Sequence, residues 1–216
     1  IRFTCCGKTC HSACQKNVKK STMPDDLKHR CHQCRKPNPT THEECLERVR
    51  EWVVKGEAWA QTIMAQLYRN GEYGLKQSYV MAVMLFEKAV AQGDPAAMYD
   101  LALLYRKGQG VAQSDEKAVE LYTMAAERGN VQAMFNLGCM YETGQGVAQS
   151  AEKAVECYTM AAERGHVGAM FNLGCMYRDG QGVVQSFKKG AELFTVAAER
   201  GHVSGMVSLG ALYFQG

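Results

Sequence analysis

Residues 129–164 read GNVQAMFNLGCMYETGQGVAQSAEKAVECYTMAAER, and nearly the same string stands on either side. Residues 93–128 are GDPAAMYDLALLYRKGQGVAQSDEKAVELYTMAAER, and residues 165–200 are GHVGAMFNLGCMYRDGQGVVQSFKKGAELFTVAAER. Gly93, Gly129, Gly165 and Gly201 are each 36 residues apart, as are Tyr105, Tyr141, Tyr177 and Tyr213, and Gln77, Gln113, Gln149 and Gln185. A fixed period of this size marks a stacked-repeat architecture.

Each unit predicts two antiparallel helices. In the first, Ala133, Met134, Leu137, Gly138 and Tyr141 fall on one face at helical spacing. Gly144-Gln-Gly146 breaks the chain, since glycine adopts positive φ without a Cβ penalty. Ser150 then stands where an N-cap belongs, its hydroxyl able to accept a free N–H of the first turn. The second helix carries Ala154, Val155, Tyr158, Ala161 and Ala162 inward. Arg164 is expected in its last turn, complementing the dipole, and Gly165 ends it. Small residues (Ala65, Ala102, Gly138, Gly174) share one column, where a neighbouring helix can come close. One unit cannot bury its own apolar face, so the stack supplies the core.

The pattern A-x-x-x-L-G-x-x-Y-x-x-G-x-G-V, then K-A-x-x-x-Y-x-x-A-A, covers Ala133–Val147 with Lys153–Ala162. It recurs over Ala169–Val183 with Lys189–Ala198, where Gly190 replaces the alanine after Lys189. This resembles the Sel-one-like repeat, a relative of the tetratricopeptide repeat, over roughly residues 57–216. The resemblance implies an all-α fold, a right-handed α-α superhelical solenoid. It also implies a binding scaffold or adaptor, with protein or peptide partners taken on the concave face lined by the first helices. On that face the columns Tyr99, Phe135, Phe171 and Asp100, Asn136, Asn172 are the expected partner-binding residues. In similar tetratricopeptide arrays the Asn column holds the main chain of a bound peptide. Phe135, Asn136 and Cys139 are rotated partly away from the core committed to Leu137, Gly138 and Tyr141. Replacing Phe135 and Phe171 is therefore expected to leave stability nearly unchanged. The alternative is that Asn136 and Asn172 bond a neighbouring helix.

The repeats are expected over 57–93, 94–129, 130–165 and 166–201, with an incomplete unit at 202–216. Asp94 is expected as an N-cap with Pro95 at the first helical position. A helix over 41–56, capped by Thr40 or Thr41 with Glu43 and Glu44 in its first turn, should cover the first repeat's apolar edge. Residues 37–40, Pro-Asn-Pro-Thr, are a short stiff linker.

Six of the ten cysteines lie in the first 34 residues. Cys31-His-Gln-Cys34 has zinc-knuckle spacing, and a second Cys/His cluster lies upstream from Cys5 to Cys14. A redox reading of the C-x-x-C needs a β-α-β context that is absent here. Residues 1–36 resemble the later part of a RING-type zinc finger. On that resemblance Cys6, His11, Cys14, Cys31 and Cys34 are zinc ligands, with Cys5 and Cys10 as alternatives. Lys8 stands where the fourth ligand is expected, and the first two would precede Ile1. Arg35 matches the linchpin position of RING-type ubiquitin ligases, which dock a ubiquitin-conjugating enzyme, and His32 replaces the usual proline. The implied alternative function is a ligase whose repeats recruit substrate, acting by proximity because no nucleophile or acid–base pair appears elsewhere.

Charge divides unevenly along the chain: residues 1–40 carry net +7 and residues 41–216 net −4. The basic start offsets zinc–thiolate charge and has no interleaved aromatics beyond Phe3, so nucleic acid is not an expected partner. The longest apolar run, Val80 to Phe86, is too short to cross a bilayer. Cys139, Cys157 and Cys175 read as small apolar packing residues, favouring a reducing, cytoplasmic setting. His166 and His202 recur at equivalent positions. Packed helices lie about 8–10 Å apart, whereas ligands on one zinc must lie within roughly 4 Å of one another, so equivalent positions in adjacent repeats cannot share an ion and both read as loop residues. With Ile1 first and the last repeat stopping near Tyr213, the sequence is expected to be a fragment at both ends.

Overall fold

A computed structural model describes residues 41–215. The candidate zinc ligands Cys5, Cys6, Cys10, His11, Cys14, Cys31 and Cys34, together with Arg35, lie outside the described residues. Among those described, every regular element is an α-helix, and each helix is 13 residues long. They divide between two compact units, with the boundary along the chain between Asp94 and Pro95.

The first unit holds α1 (His42–Val54), α2 (Ala58–Asn70) and α3 (Tyr79–Ala91). Thr41 caps α1, its Oγ1 accepting the Glu44 N–H at 3.2 Å. Cys45, Leu46 and Val49 form the buried stripe of α1. Trp52 of α1 meets Trp59 of α2 with ring centroids 5.9 Å apart, and Lys55 covers the Trp52 ring from 4.1 Å. α2 and α3 pair as a hairpin around Leu67, Met64 and Phe86, all buried.

The second unit holds α4 (Pro95–Lys107), α5 (Asp115–Glu127), α6 (Val131–Thr143), α7 (Ala151–Glu163), α8 (Val167–Asp179), α9 (Phe187–Glu199) and α10 (Val203–Gln215). Its core is a line of large rings, Tyr122, Tyr158 and Phe194, one per second helix and each fully buried. Opposite the last two stand Gly138 and Gly174. A Cβ on Gly138 would lie 2.6 Å from Tyr158 Cε1, and one on Gly174 would lie 2.7 Å from Phe194 Cε1. Here glycine is what lets the ring fill the interhelix space at normal packing density.

Each second helix begins at a serine. Ser114, Ser150 and Ser186 accept the N–H of Lys117, Lys153 and Lys189 at 3.2–3.3 Å. Those lysines reach back over the repeat tyrosines, with Lys153 Nζ 5.2 Å from the Tyr141 ring centre. Tyr141 is accordingly half-buried rather than part of the closed core. The arginine expected in the last turn sits one residue past it. Arg164 is the C-cap of α7, and its guanidinium donates to the Met160 carbonyl at 3.0 Å.

The two glycines of each Gly-x-Gly loop do different jobs. Gly144 takes the left-handed C-cap conformation at φ 71°. Gly146 is also left-handed, but a Cβ there would lie 2.3 Å from the Asp115 carbonyl carbon. The loop of one repeat thus rests on the first turn of the preceding repeat's second helix. Gly182 repeats the contact against Ala151.

Candidate functional site

The first helices α4, α6 and α8 bring the aromatic column and the amide column together in register. Tyr99, Phe135 and Phe171 are half-buried, and so are Asn136 and Asn172. Asp100, the other expected member, is only 6% exposed and lies within the packing. In this unit the polar half of the columns is therefore offered by Asn136 and Asn172.

The rings are not simply turned to solvent. Phe135 meets Tyr158 at a 5.9 Å centroid distance and stacks on His166 at 4.4 Å with planes 20° apart. Phe171 repeats this against Phe194 at 5.6 Å and His202 at 4.8 Å, while Tyr99 meets Tyr122 at 5.8 Å. Each ring thus has one side in the interhelix packing. The expectation that Phe135 and Phe171 can be removed without loss of stability is revised: truncation leaves a void beside a buried ring.

His166 and His202 are the last loop residues before α8 and α10, and both cap the helix that follows. His166 Nδ1 accepts the Ala169 N–H at 3.0 Å, and Nε2 faces Gln132 Oε1 at 3.2 Å. His202 Nδ1 accepts the Gly205 N–H at 3.2 Å. Asn130 does the same work one repeat earlier, taking the Ala133 N–H at 3.0 Å. An acceptor at Nδ1 requires a ring unprotonated there. Burial holds the His166 pKa below the ordinary imidazole value. Sequence reading missed these caps because histidine is not among the usual capping residues. The signal was alignment with Asn130 in the 36-residue register.

Behind the columns, the sign of one side chain alternates between repeats: Arg106, Glu142 and Arg178. The buried tyrosine hydroxyls answer it. The Tyr122 hydroxyl accepts from Asn136 Nδ2 at 3.2 Å and is also bonded by Arg106. The Tyr158 hydroxyl lies 2.5 Å from Glu142 Oε2 and 3.3 Å from Cys139 Sγ, and Asn172 also bonds it. Burial raises both phenol pKa values, and for Tyr158 the bonds to Cys139 and Glu142 raise it further. Phe194 has no hydroxyl, and Arg178 instead grips Asp179 through two bonds of 2.7 and 2.8 Å. Asn136 and Asn172 thus both bond a second helix while remaining half exposed.

The cysteines of this region are poor nucleophiles. Burial pushes the Cys139 and Cys175 thiols up, and Cys157 up to about 11. Among the described residues no group of three or more His, Cys, Asp or Glu side chains could hold a metal ion. No helix among them is long and apolar enough to cross a membrane.

The Sel1 repeat family matches at residues 60–94, 95–130, 131–166 and 167–202. No curated protein sequence matches the chain significantly. Among solved structures, a Sel1 repeat protein from Oxalobacter formigenes is 26% identical with a TM-score of 0.76, covering 81% of this chain and 69% of that one. A protective antigen of uropathogenic Escherichia coli with an SLR fold is 27% identical with a TM-score of 0.79. It covers 94% of this chain, which spans only 44% of the antigen's length. With four consecutive matches that each span one helix pair, over more than half of its length, the chain is a Sel1 repeat protein.

Proposed function

We propose that the chain is a protein-interaction scaffold that binds an extended peptide segment along the first helices α4, α6 and α8. The reading rests on one observation: an aromatic ring and an amide recur side by side, half exposed, as Phe135 with Asn136 and Phe171 with Asn172. An amide offers both a donor and an acceptor to a peptide main chain, and aromatic rings are favourable anchors. Asn136 and Asn172 are held by Tyr122 and Tyr158, so little side-chain freedom is lost on binding. Tyr99 extends the column by one repeat.

The test is selection of displayed peptides on residues 1–216, then measurement of the selected peptides on variants. Phe135→Leu with Phe171→Leu keeps the packing volume nearly filled, and Asn136→Ala with Asn172→Ala removes the amides. Each pair is expected to weaken binding at least tenfold with the helical circular dichroism retained. Unchanged affinity in both would place the binding face elsewhere.

A separate proposal concerns residues 1–36. We infer a zinc-binding module using Cys6, His11, Cys14, Cys31 and Cys34, supported by the Cys31-x-x-Cys34 spacing and the upstream Cys/His cluster. A ubiquitin-ligase role, with Arg35 bridging a conjugating enzyme and ubiquitin, rests on the same spacing alone. Metal analysis of the purified chain tests the first: less than half an equivalent of zinc would rule it out.

A further inference from the structure

The loop ends of the first helices carry two clefts in equivalent positions, one repeat apart, and their charges are opposite. The first, of about 230 Å³, is bounded by Arg106, Lys107, Gln113, Asp115 and Gln145. The second, of about 610 Å³, is bounded by Glu142, Thr143, Gln149, Met176 and Gln181. Position for position, Arg106 is replaced by Glu142, Lys107 by Thr143 and Asp115 by Ala151. Two cations and one carboxylate line the first, whereas the only charge lining the second is the Glu142 carboxylate.

The local bonds reinforce the difference. Arg106 reaches Gln145 Oε1 at 3.4 Å, across the first cleft. In the second, Gln149 Nε2 donates to the Glu142 carbonyl at 2.7 Å, which fixes the amide at the rim and commits one of its two N–H groups. The carbonyl end of α6 adds partial negative charge at the second cleft, and that of α4 adds the same at the first, where Arg106 and Lys107 outweigh it together with Asp115. Met176, almost fully buried, supplies an apolar floor on which the methylenes of a long side chain can lie.

We propose that these clefts form a two-site charge reader for an extended peptide, an acidic side chain entering the first and a lysine or arginine the second. The spacing sets the register. With successive first helices taken at the packed-helix separation of about 8–10 Å, an extended strand advances about 3.3 Å per residue between them. Three residues cover the distance, so the motif is an acidic residue and a basic residue separated by two others. Charge complementarity of this kind sets register and partner choice more than raw affinity. The inference rests on the scaffold reading and adds to it the chemical class of the segment.

The experiment is titration of isotope-labelled residues 1–216, followed by NMR, with short Gly-rich peptides of equal composition. One pair carries Glu and Lys with two glycines between them, in either order; the control carries them adjacent. Amide shifts at Lys107, Gln113, Thr143 and Gln181 are expected, at least fivefold stronger in apparent affinity for one of the spaced peptides than for the control. Glu142→Gln keeps an acceptor for the Tyr158 hydroxyl and should abolish the preference for Lys over Gln in the peptide. Lys107→Gln, an exposed change, should weaken the peptide severalfold and leave that preference intact. Equal response to spaced and adjacent peptides, or no response, overturns the charge reader. Shifts confined to Phe135, Asn136, Phe171 and Asn172 would also overturn it while leaving the scaffold reading standing.

Discussion

An alanine at position 138 would place its methyl carbon 2.6 Å from a Tyr158 ring whose hydroxyl is already held by Glu142 and Cys139. Overpacking of this kind costs about 1–3 kcal/mol. One repeat earlier Ala102 occupies the column, with Arg106 rather than Glu142 meeting the tyrosine hydroxyl. Gly138→Ala should therefore lower the urea midpoint, and adding Glu142→Arg should restore part of the loss. Additive losses would show that the two positions are not coupled. Leu137→Ala, at 5% exposure, is expected to cost about 2–5 kcal/mol in the same measurement. His166 gives a pH dependence whose sign follows from its cap. Its folded pKa is depressed, so the unfolded chain takes up the proton first. Stability is complete above the ordinary imidazole pKa of about 6.5 and declines as pH falls below it. His166→Asn, copying Asn130, should flatten the midpoint between pH 7 and pH 5. An unchanged slope would remove His166 from the account.

At the scale of helices and loops, much was legible because the signals are local. Ser150 opens α7 as its position in the repeat requires, and Ser150→Ala should cost about 1 kcal/mol. The Ala133, Met134 and Leu137 stripe is buried as its spacing requires. What escaped reading depends on groups far apart in sequence. Positive φ accounts for both glycines of the loop, but only the structure shows Gly146 against Asp115, 31 positions upstream. Gly146→Ala should accordingly destabilise more than Gly144→Ala, whose nearest contact would be Gln149 Cβ at 3.2 Å. Equal losses in chemical denaturation would mean that backbone conformation alone decides both. The amide column was legible as a column, but its hydroxyl partners were not, since nothing in the spacing says that Tyr122 and Tyr158 would meet opposite chemistry. Asp100 shows the limit plainly: it shares a register with Asn136 yet is buried.

For the molecule as a whole, stability in a repeat array is close to a sum of unit and nearest-neighbour contributions. The helices of residues 41–215 hold no metal-ligand cluster, whereas a small zinc module depends on its metal to fold. Chelation of the full chain should therefore leave the helical circular dichroism signal unchanged while releasing any zinc held by residues 1–36. Loss of helix on chelation would show the two parts to be one folding unit.

The resting of each loop on its predecessor has a directional consequence. Gly146 lands on Asp115, Gly182 on Ala151, and Asn130 Nδ2 reaches back 3.1 Å to the Pro95 carbonyl. Every one of these landing points leaves the ribosome before the group that settles on it. A nascent chain can thus lay down one unit at a time on a finished template, without waiting for its far end. Synthesis and assembly then run in the same direction, as courses of brick are laid.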